Sequence, residues 1–309
     1  MTSSVAWLFP GQGSQQVGMG RALAERYPSA ARAFEDASEA LGFDLRSLCW
    51  NGPQAELDLT ANAQPAILTA SIAALRAVRE ALGHELPAPL AVAGHSLGEY
   101  SAIVAAGALL LAEAARLVRR RGELMQAADP SGGMAAVIGL DGAAVARATA
   151  GTGLVVANDN APGQVVVSGP LAAFESATAA LKAAGAKRVL PLRVSAAFHS
   201  PAMRAVAPDL RRAIDGAAWS ALRYPLIANV DADAHEHAGD LPELLERQVW
   251  SPVRWTEVVR RLRELGATTF VEIGPGNVLT GLVKRILPDV ITANASDPAT
   301  LESALPLFR

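Results

Sequence analysis

The sequence predicts an α/β protein, a parallel-sheet layer into which a smaller βαββαβ unit is inserted. Three observations predict it. Short apolar runs at 5–9, 90–93 and 269–273 lack polar alternation, as strands buried on both faces of a parallel sheet do. Helical stretches alternate with them. Between 129 and 196 the order becomes strand, helix, strand, strand, helix, strand, a ferredoxin-like arrangement of about 65 residues.

The elements follow in order. The strand 5–9 closes at Pro10-Gly11, a polar loop covers 12–15, and a helix is expected from there to about 26. The Ala-rich stretches 30–40 and 102–115 favour helix. Asn62 is the expected N-cap and Pro65 the first-turn proline of a helix to about 82. The strand 90–93 runs into Gly94-His95-Ser96-Leu97-Gly98 and a helix over 99–106, and another helix covers 111–127. Pro130, Gly132 and Gly133 mark a boundary. Strands are then expected at 134–140, 154–157, 164–168 and 187–194, with helices at 142–150 and 171–184. Strands at 226–229 and 269–273 and helices at 242–248 and 278–286 complete the first layer, and 231–240 is a polar loop. The large unit is thus 1–128 and 197–309, and the insert 129–196.

Composition excludes several function classes. Lys and Arg number 27 against 30 Asp and Glu, a formal charge of −3, and no basic, aromatic-laced stripe suggests nucleic acid. One cysteine, Cys49, permits no internal disulfide and no Cys-cluster metal site, and its Leu/Trp context reads as a buried, inert thiol. The N-terminal residues lack a basic region before their short apolar run, and the longest apolar stretch, 102–112, is too short for a bilayer. The expectation is a cytoplasmic protein with no membrane partner, and nothing demands more than a monomer.

Residues 94–98 fit G-x-S-x-G with a strand before and a helix after, the context that gives the motif meaning. Glycines permit the sharp turn that exposes the Ser96 hydroxyl, and the turn sets the Leu97 amide at a helix N-terminus, aimed at a developing oxyanion. A serine needs a base. His95 adjoins Ser96 and would point away from it, so it reads as structural. His84 lies at a helix end. His235 and His237 form H-x-H in a solvated loop without a third ligand at helical spacing, so no metal is expected. His199, at the junction between the two units and before Ser200-Pro201, is the remaining candidate.

In the helix 111–127, Leu110, Ala114, Leu117 and Leu124 form an apolar stripe, and Arg121 falls inside it. An inward guanidinium needs a partner. Spacing leaves two open, a structural carboxylate or a carboxylate on the substrate.

Taken together, Phe9-Pro10-Gly11-Gln12-Gly13-Ser14-Gln15, the run from Gly94 to Tyr100, Arg121-Gly122, Phe198-His199-Ser200 and Glu272-Ile273-Gly274-Pro275-Gly276 resemble the hallmarks of malonyl-CoA:acyl-carrier-protein transacylases. Asn229-Val230 and Pro252-Val253-Arg254-Trp255 extend the resemblance over nearly the whole chain. It implies an α/β-hydrolase-like large domain with a ferredoxin-like insert, malonyl-CoA and an acyl carrier protein as partners, and no cofactor beyond the phosphopantetheine that the carrier brings. It implies that Ser96 is acylated and that His199 serves as base and then acid, oriented by a backbone carbonyl near Gln248. It makes the Gln12 and Leu97 amides the oxyanion hole and Arg121 the ligand of the malonyl carboxylate. Gln64 and Asn160 match positions near the pocket, and Phe198 matches the malonyl-selective members. Ala197 departs from the proline that many relatives carry.

Three rival readings stand beside this one. A serine esterase or thioesterase would use an acid between Ser96 and His199, from Glu113, Glu123, Asp129, Asp141, Asp159 or Glu175. The malonyl-loading subunit of a malonate decarboxylase would share every motif. A non-catalytic carrier-binding subunit would have no use for Ser96 and His199.

Overall fold

The computed structural model describes residues 4–308. Its strands are β1 (Val5–Phe9), β2 (Ala91–Gly94), β3 (Gly132–Ile138), β4 (Val155–Ala161), β5 (Gln164–Pro170), β6 (Arg188–Pro191), β7 (Leu226–Ile227), β8 (Ala234–His235), β9 (Thr269–Ile273) and β10 (Ile291–Ala295). They form two sheets. The first has the order β10-β9-β1-β2-β7-β8, parallel except for β8. The second has the order β4-β5-β3-β6 and is antiparallel throughout.

Side-chain alternation along β1 explains why its sequence is apolar at every position. Trp7 and Phe9 face one side, where the helix Thr60–Leu82 and the helix Leu111–Gln126 build the larger core. Ala6 and Leu8 face the other, against Val258 and Val259 of the helix Trp255–Glu264 and Leu282 and Val283 of the helix Val278–Ile286. The second sheet has its own small core on one face. There Ala135 and Val137 pack with Val145, Ala177 and Leu181 from its two helices. Its other face sends Met134 and Val166 into the larger core. Backbone bonds also tie β4 to the segment preceding the helix Trp255–Glu264: Asp159 N–H donates to Val253 O at 2.9 Å and Val253 N–H to Ala157 O at 2.8 Å.

Several expectations are corrected. The helix expected directly after the 12–15 loop forms only at Arg21–Arg26, because Gly18 and Gly20 hold left-handed backbone, φ 98° and 74°. Asn62 does not cap its helix, which begins two residues earlier at Thr60. Its side chain instead donates to Glu56 O. Pro65 therefore sits inside that helix, and the Ala61 carbonyl it leaves without a helical partner accepts from Arg119 Nη1 at 3.1 Å. The expected strand 187–194 pairs only over β6, ending at Pro191. The 231–240 loop contains β8, the antiparallel edge of the first sheet. The Ala-rich 30–40 stretch lies within the helix Pro28–Leu41. Among the described residues no helix is long and apolar enough to cross a membrane.

Candidate active site

Ser96 sits where β2 turns into the helix Gly98–Ala105. The turn is tight because both bounding glycines are pressed by backbone. A Cβ on Gly94 would lie 1.9 Å from the Gly98 carbonyl carbon, and one on Gly98 2.0 Å from Phe9 O. Ser96 itself has φ 50°, a left-handed conformation that costs a non-glycine residue about 1–2 kcal/mol. Hydrogen bonds from a distant segment hold it there. Ser96 N–H donates to Asn229 Oδ1 at 2.7 Å, and Asn229 Nδ2 donates to Gly94 O at 2.7 Å. Asn229 is in turn fixed through its own N–H, which donates to Glu99 Oε2 at 2.9 Å.

His199 arrives from the connection between the two sheets, also at positive φ, 54°. Ser200 steadies this bend by donating from Oγ to Ala197 O at 2.7 Å, so the loop is pinned without a proline at 197. Nε2 of His199 lies 2.8 Å from Ser96 Oγ. Its Nδ1 lies 3.0 Å from Gln248 O and 3.2 Å from Ser251 O. Carbonyls only accept, so Nδ1 carries the proton and Nε2 is left as the acceptor for the serine hydroxyl. Burial, and then the nearby Arg121 charge, push the His199 pKa down to about 3. The imidazole is therefore neutral at neutral pH, the form a base requires. Among the described residues no carboxylate touches it, so the serine–acid–histidine order of the esterase reading is not assembled.

Arg121 is 1% exposed and faces the same point. The close passage of its helix against the start of the helix Thr60–Leu82 requires Gly122, where a Cβ would lie 2.7 Å from Thr60 O. The guanidinium donates from Nη1 to Gln64 Oε1 at 2.8 Å, and from Nη2 to Gln248 Oε1 at 2.9 Å and Ser96 Oγ at 3.2 Å. It lies 5.5 Å from the Tyr100 ring centroid, and its buried Nε has no acceptor among the described residues. Glu99 acts on it electrostatically, but every acceptor it bonds directly is neutral. Of the two partners left open by the sequence, the structural carboxylate is not the one in contact.

These groups open into a cleft of about 500 Å³ between the sheets. Gln12, Leu97 and Phe198 line it with Ser96, Arg121 and His199. The Gln12 and Leu97 amides donate to no acceptor in the described residues' hydrogen bonding. Asn160 is corrected: its Oδ1 accepts from His95 Nε2 at 2.8 Å behind the turn, and Asn158 is the asparagine that lines the cleft. His95, whose ring also packs on Trp255, is structural as expected. His84 is exposed. His235 pairs with Asp231 and Asp240, and no metal-holding cluster exists among the described residues. Cys49 is fully buried and its pKa is pushed up to about 12 by burial, as an inert thiol requires. Sequence reasoning missed Asn229 and Glu99 as site residues. Gln248, expected among the substrate-binding residues, donates from Nε2 to Ser96 O at 3.0 Å while its side-chain oxygen holds Arg121.

Comparison with known proteins places this geometry. Malonyl CoA-acyl carrier protein transacylase of Bacillus subtilis is 46% identical over 310 residues, covering 98% of this chain and 96% of that one. The protein of the same name from Escherichia coli is 46% identical over 309 residues, covering 98% and 99%. An acyl carrier protein S-malonyltransferase of Vibrio cholerae superposes with a TM-score of 0.94 at 44% identity, covering 98% and 100%. A malonyl-transacylase solved in complex with its type II PKS acyl-carrier protein gives 0.94 at 43% identity, covering 98% and 99%. Residues 6–302 match the acyl transferase domain family, and the chain belongs to that family.

Proposed function

We propose that this chain transfers a malonyl group from coenzyme A to the phosphopantetheine thiol of an acyl carrier protein, supplying extender units for fatty-acid or polyketide synthesis. The relatives' names support the reaction, and one observation supports the acyl group: a buried cation, bonded only to neutral acceptors, 3.2 Å from the nucleophile. A carboxylate on the acyl group would satisfy it as a fork-to-fork pair.

Ser96 Oγ attacks the thioester carbonyl as His199 Nε2 takes its proton. The Gln12 and Leu97 amides are the oxyanion donors of this reading, supported by their freedom and their place on the cleft wall. The imidazolium returns the proton to the departing coenzyme A sulfur. The carrier's thiol then loses its proton to His199, attacks the malonyl-serine ester and releases Ser96. The carbonyls of Gln248 and Ser251 hold the imidazole in place through both halves. No step needs a resident cofactor. Phe198, buried at the cleft wall, limits bulk beside the acyl carbon.

The same reading divides the chain into a hydrolase-like unit, 1–128 and 197–309, and a ferredoxin-like insert, 129–196. The strand order β4-β5-β3-β6 with two helices on one face supports the second term.

Mass spectrometry of the protein mixed with malonyl-, methylmalonyl- and acetyl-CoA tests the function. Expected is an adduct at Ser96 from malonyl-CoA that a carrier protein removes. Arg121→Ala should cut malonyl loading by about a hundredfold, the cost of an unpaired buried carboxylate, and should not lower acetyl loading. Equal losses for both acyl groups would make Arg121 structural and remove the basis for malonyl.

A further inference from the structure

Ser96 Oγ has two polar neighbours with opposed effects. His199 Nε2, at 2.8 Å, accepts its proton and makes it more nucleophilic. Arg121 Nη2, at 3.2 Å, donates to it, and a hydrogen bond from a cation draws electron density off the attacking oxygen. Nη2 has two protons, and both are committed, one to Ser96 and one to Gln248 Oε1 at 2.9 Å. Among the described residues Nε and the second Nη1 proton are free, but both bidentate faces of a guanidinium include Nη2, so a carboxylate pairing fork-to-fork must displace one of these two acceptors. Gln248 is fully buried and tied through its Nε2 to Ser96 O, and Gln64 is equally buried. The bond to Ser96 Oγ is the longest of the three and faces the cleft, so it is the one that yields.

We propose that Arg121 restrains the nucleophile of the free enzyme and that a carboxylate seated on its guanidinium releases Ser96 Oγ to attack. This rests on the carboxylate pairing of Arg121 put forward above. The acyl carboxylate is then an activator as well as a handle, and selectivity resides in kcat as much as in KM. The base responds in the same sense. The charged or titratable groups facing His199 are Arg121 and His95, both of which depress it, while Glu99 and Tyr100 act on Arg121. Neutralising the guanidinium removes the Arg121 part of that depression and makes His199 a stronger base.

Inactivation by phenylmethylsulfonyl fluoride reads this without a thioester. Ser96 Oγ bonds to sulfur as the S–F bond breaks, its proton passes to His199 Nε2, and fluoride leaves. The wild-type protein is treated near neutral pH with sodium formate as the surrogate carboxylate, and with sodium chloride at equal ionic strength. Formate is expected to speed inactivation about threefold or more and to move the acid limb of its pH profile upward, with chloride inert. In Arg121→Gln, inactivation without formate should already exceed wild type, and formate should add nothing. Inactivation that is unchanged or slower in formate, or accelerated equally by chloride, overturns the proposal. Malonyl-CoA labelling of Ser96 is read separately, so failure here is distinguishable from failure of the transfer reading.

Discussion

The two walls of the cleft are built on different principles. On the six-stranded side, polar groups bond one another across large distances in sequence: the Ser96 amide with the Asn229 side chain, the His199 ring with the Gln248 and Ser251 carbonyls, and the Arg121 guanidinium with the side chains of Gln64 and Gln248. Two of these residues, Ser96 and His199, hold left-handed backbone that persists only because its surroundings over-determine it. On the four-stranded side the wall has no such network: apolar Met134, Leu192 and Val194 line it with Asn158 and Arg193, and it belongs to a unit with its own small core. The difference teaches that one wall fixes reacting atoms while the other shapes the space and excludes water.

The division breaks most visibly at His199. Replacing it with alanine removes the base, for which a loss of about 10³-fold in kcat with little change in KM is expected in steady-state transfer to a carrier protein. A loss below about tenfold would mean that another group takes the Ser96 proton, and the polar wall would not be the catalytic one.

A second test sharpens the comparison through pH, because the polar wall buries two titratable groups with opposite signs. Burial holds the Glu99 carboxyl up at about 7, from an ordinary 4.5. His199 is held down at about 3, from 6.5. As pH rises from 4.5 to 6.5, the unfolded chain sheds the Glu99 proton that the folded chain retains, so this group's contribution to stability declines. Over the same range the unfolded chain holds a proton on His199 that the folded chain lacks, so that contribution increases. Each slope is about 1.4 kcal/mol per pH unit, and they offset. Glu99→Gln removes one of them while keeping an acceptor for the Asn229 N–H. Urea unfolding of this variant should show stability climbing by about 2 kcal/mol from pH 5 to 6.5, where the wild type is nearly flat. A flat profile in Glu99→Gln would show that His199 is not depressed.

How much of this was legible in the sequence follows the same divide between local and distant causes. The strands Val5–Phe9 and Thr269–Ile273 and the helix Val278–Ile286 have the bounds their patterns suggest, because each is coded by its own apolar run. The G-x-S-x-G turn and the inward Arg121 were visible for the same reason. Asn229 and Glu99 were not, since each matters through a partner about 130 positions away. Asn160 lies near the site, but bulges at 156/158 and 159/161 interrupt the register of β4, and regular alternation from the sequence does not foresee which asparagine faces the cleft. Asn62 failed as a cap because Glu56 O, on the preceding short helix, takes its side chain.

The smallest expected effect lies on the apolar wall and tests the comparison from its other side. Leu192 follows β6, is 39% exposed, and lines the cleft with its side chain. Leu192→Ala removes apolar surface that a thioester would cover, a uniform contribution to substrate and transition state alike. It should raise KM for malonyl-CoA by a few fold, roughly 1 kcal/mol, and leave kcat within about twofold. If kcat fell tenfold with KM unchanged, Leu192 would be acting on the reaction itself, by holding water from the acyl-serine. Release of free malonate beside carrier loading would then rise in the variant, and the apolar wall would share in the chemistry now assigned to the polar one.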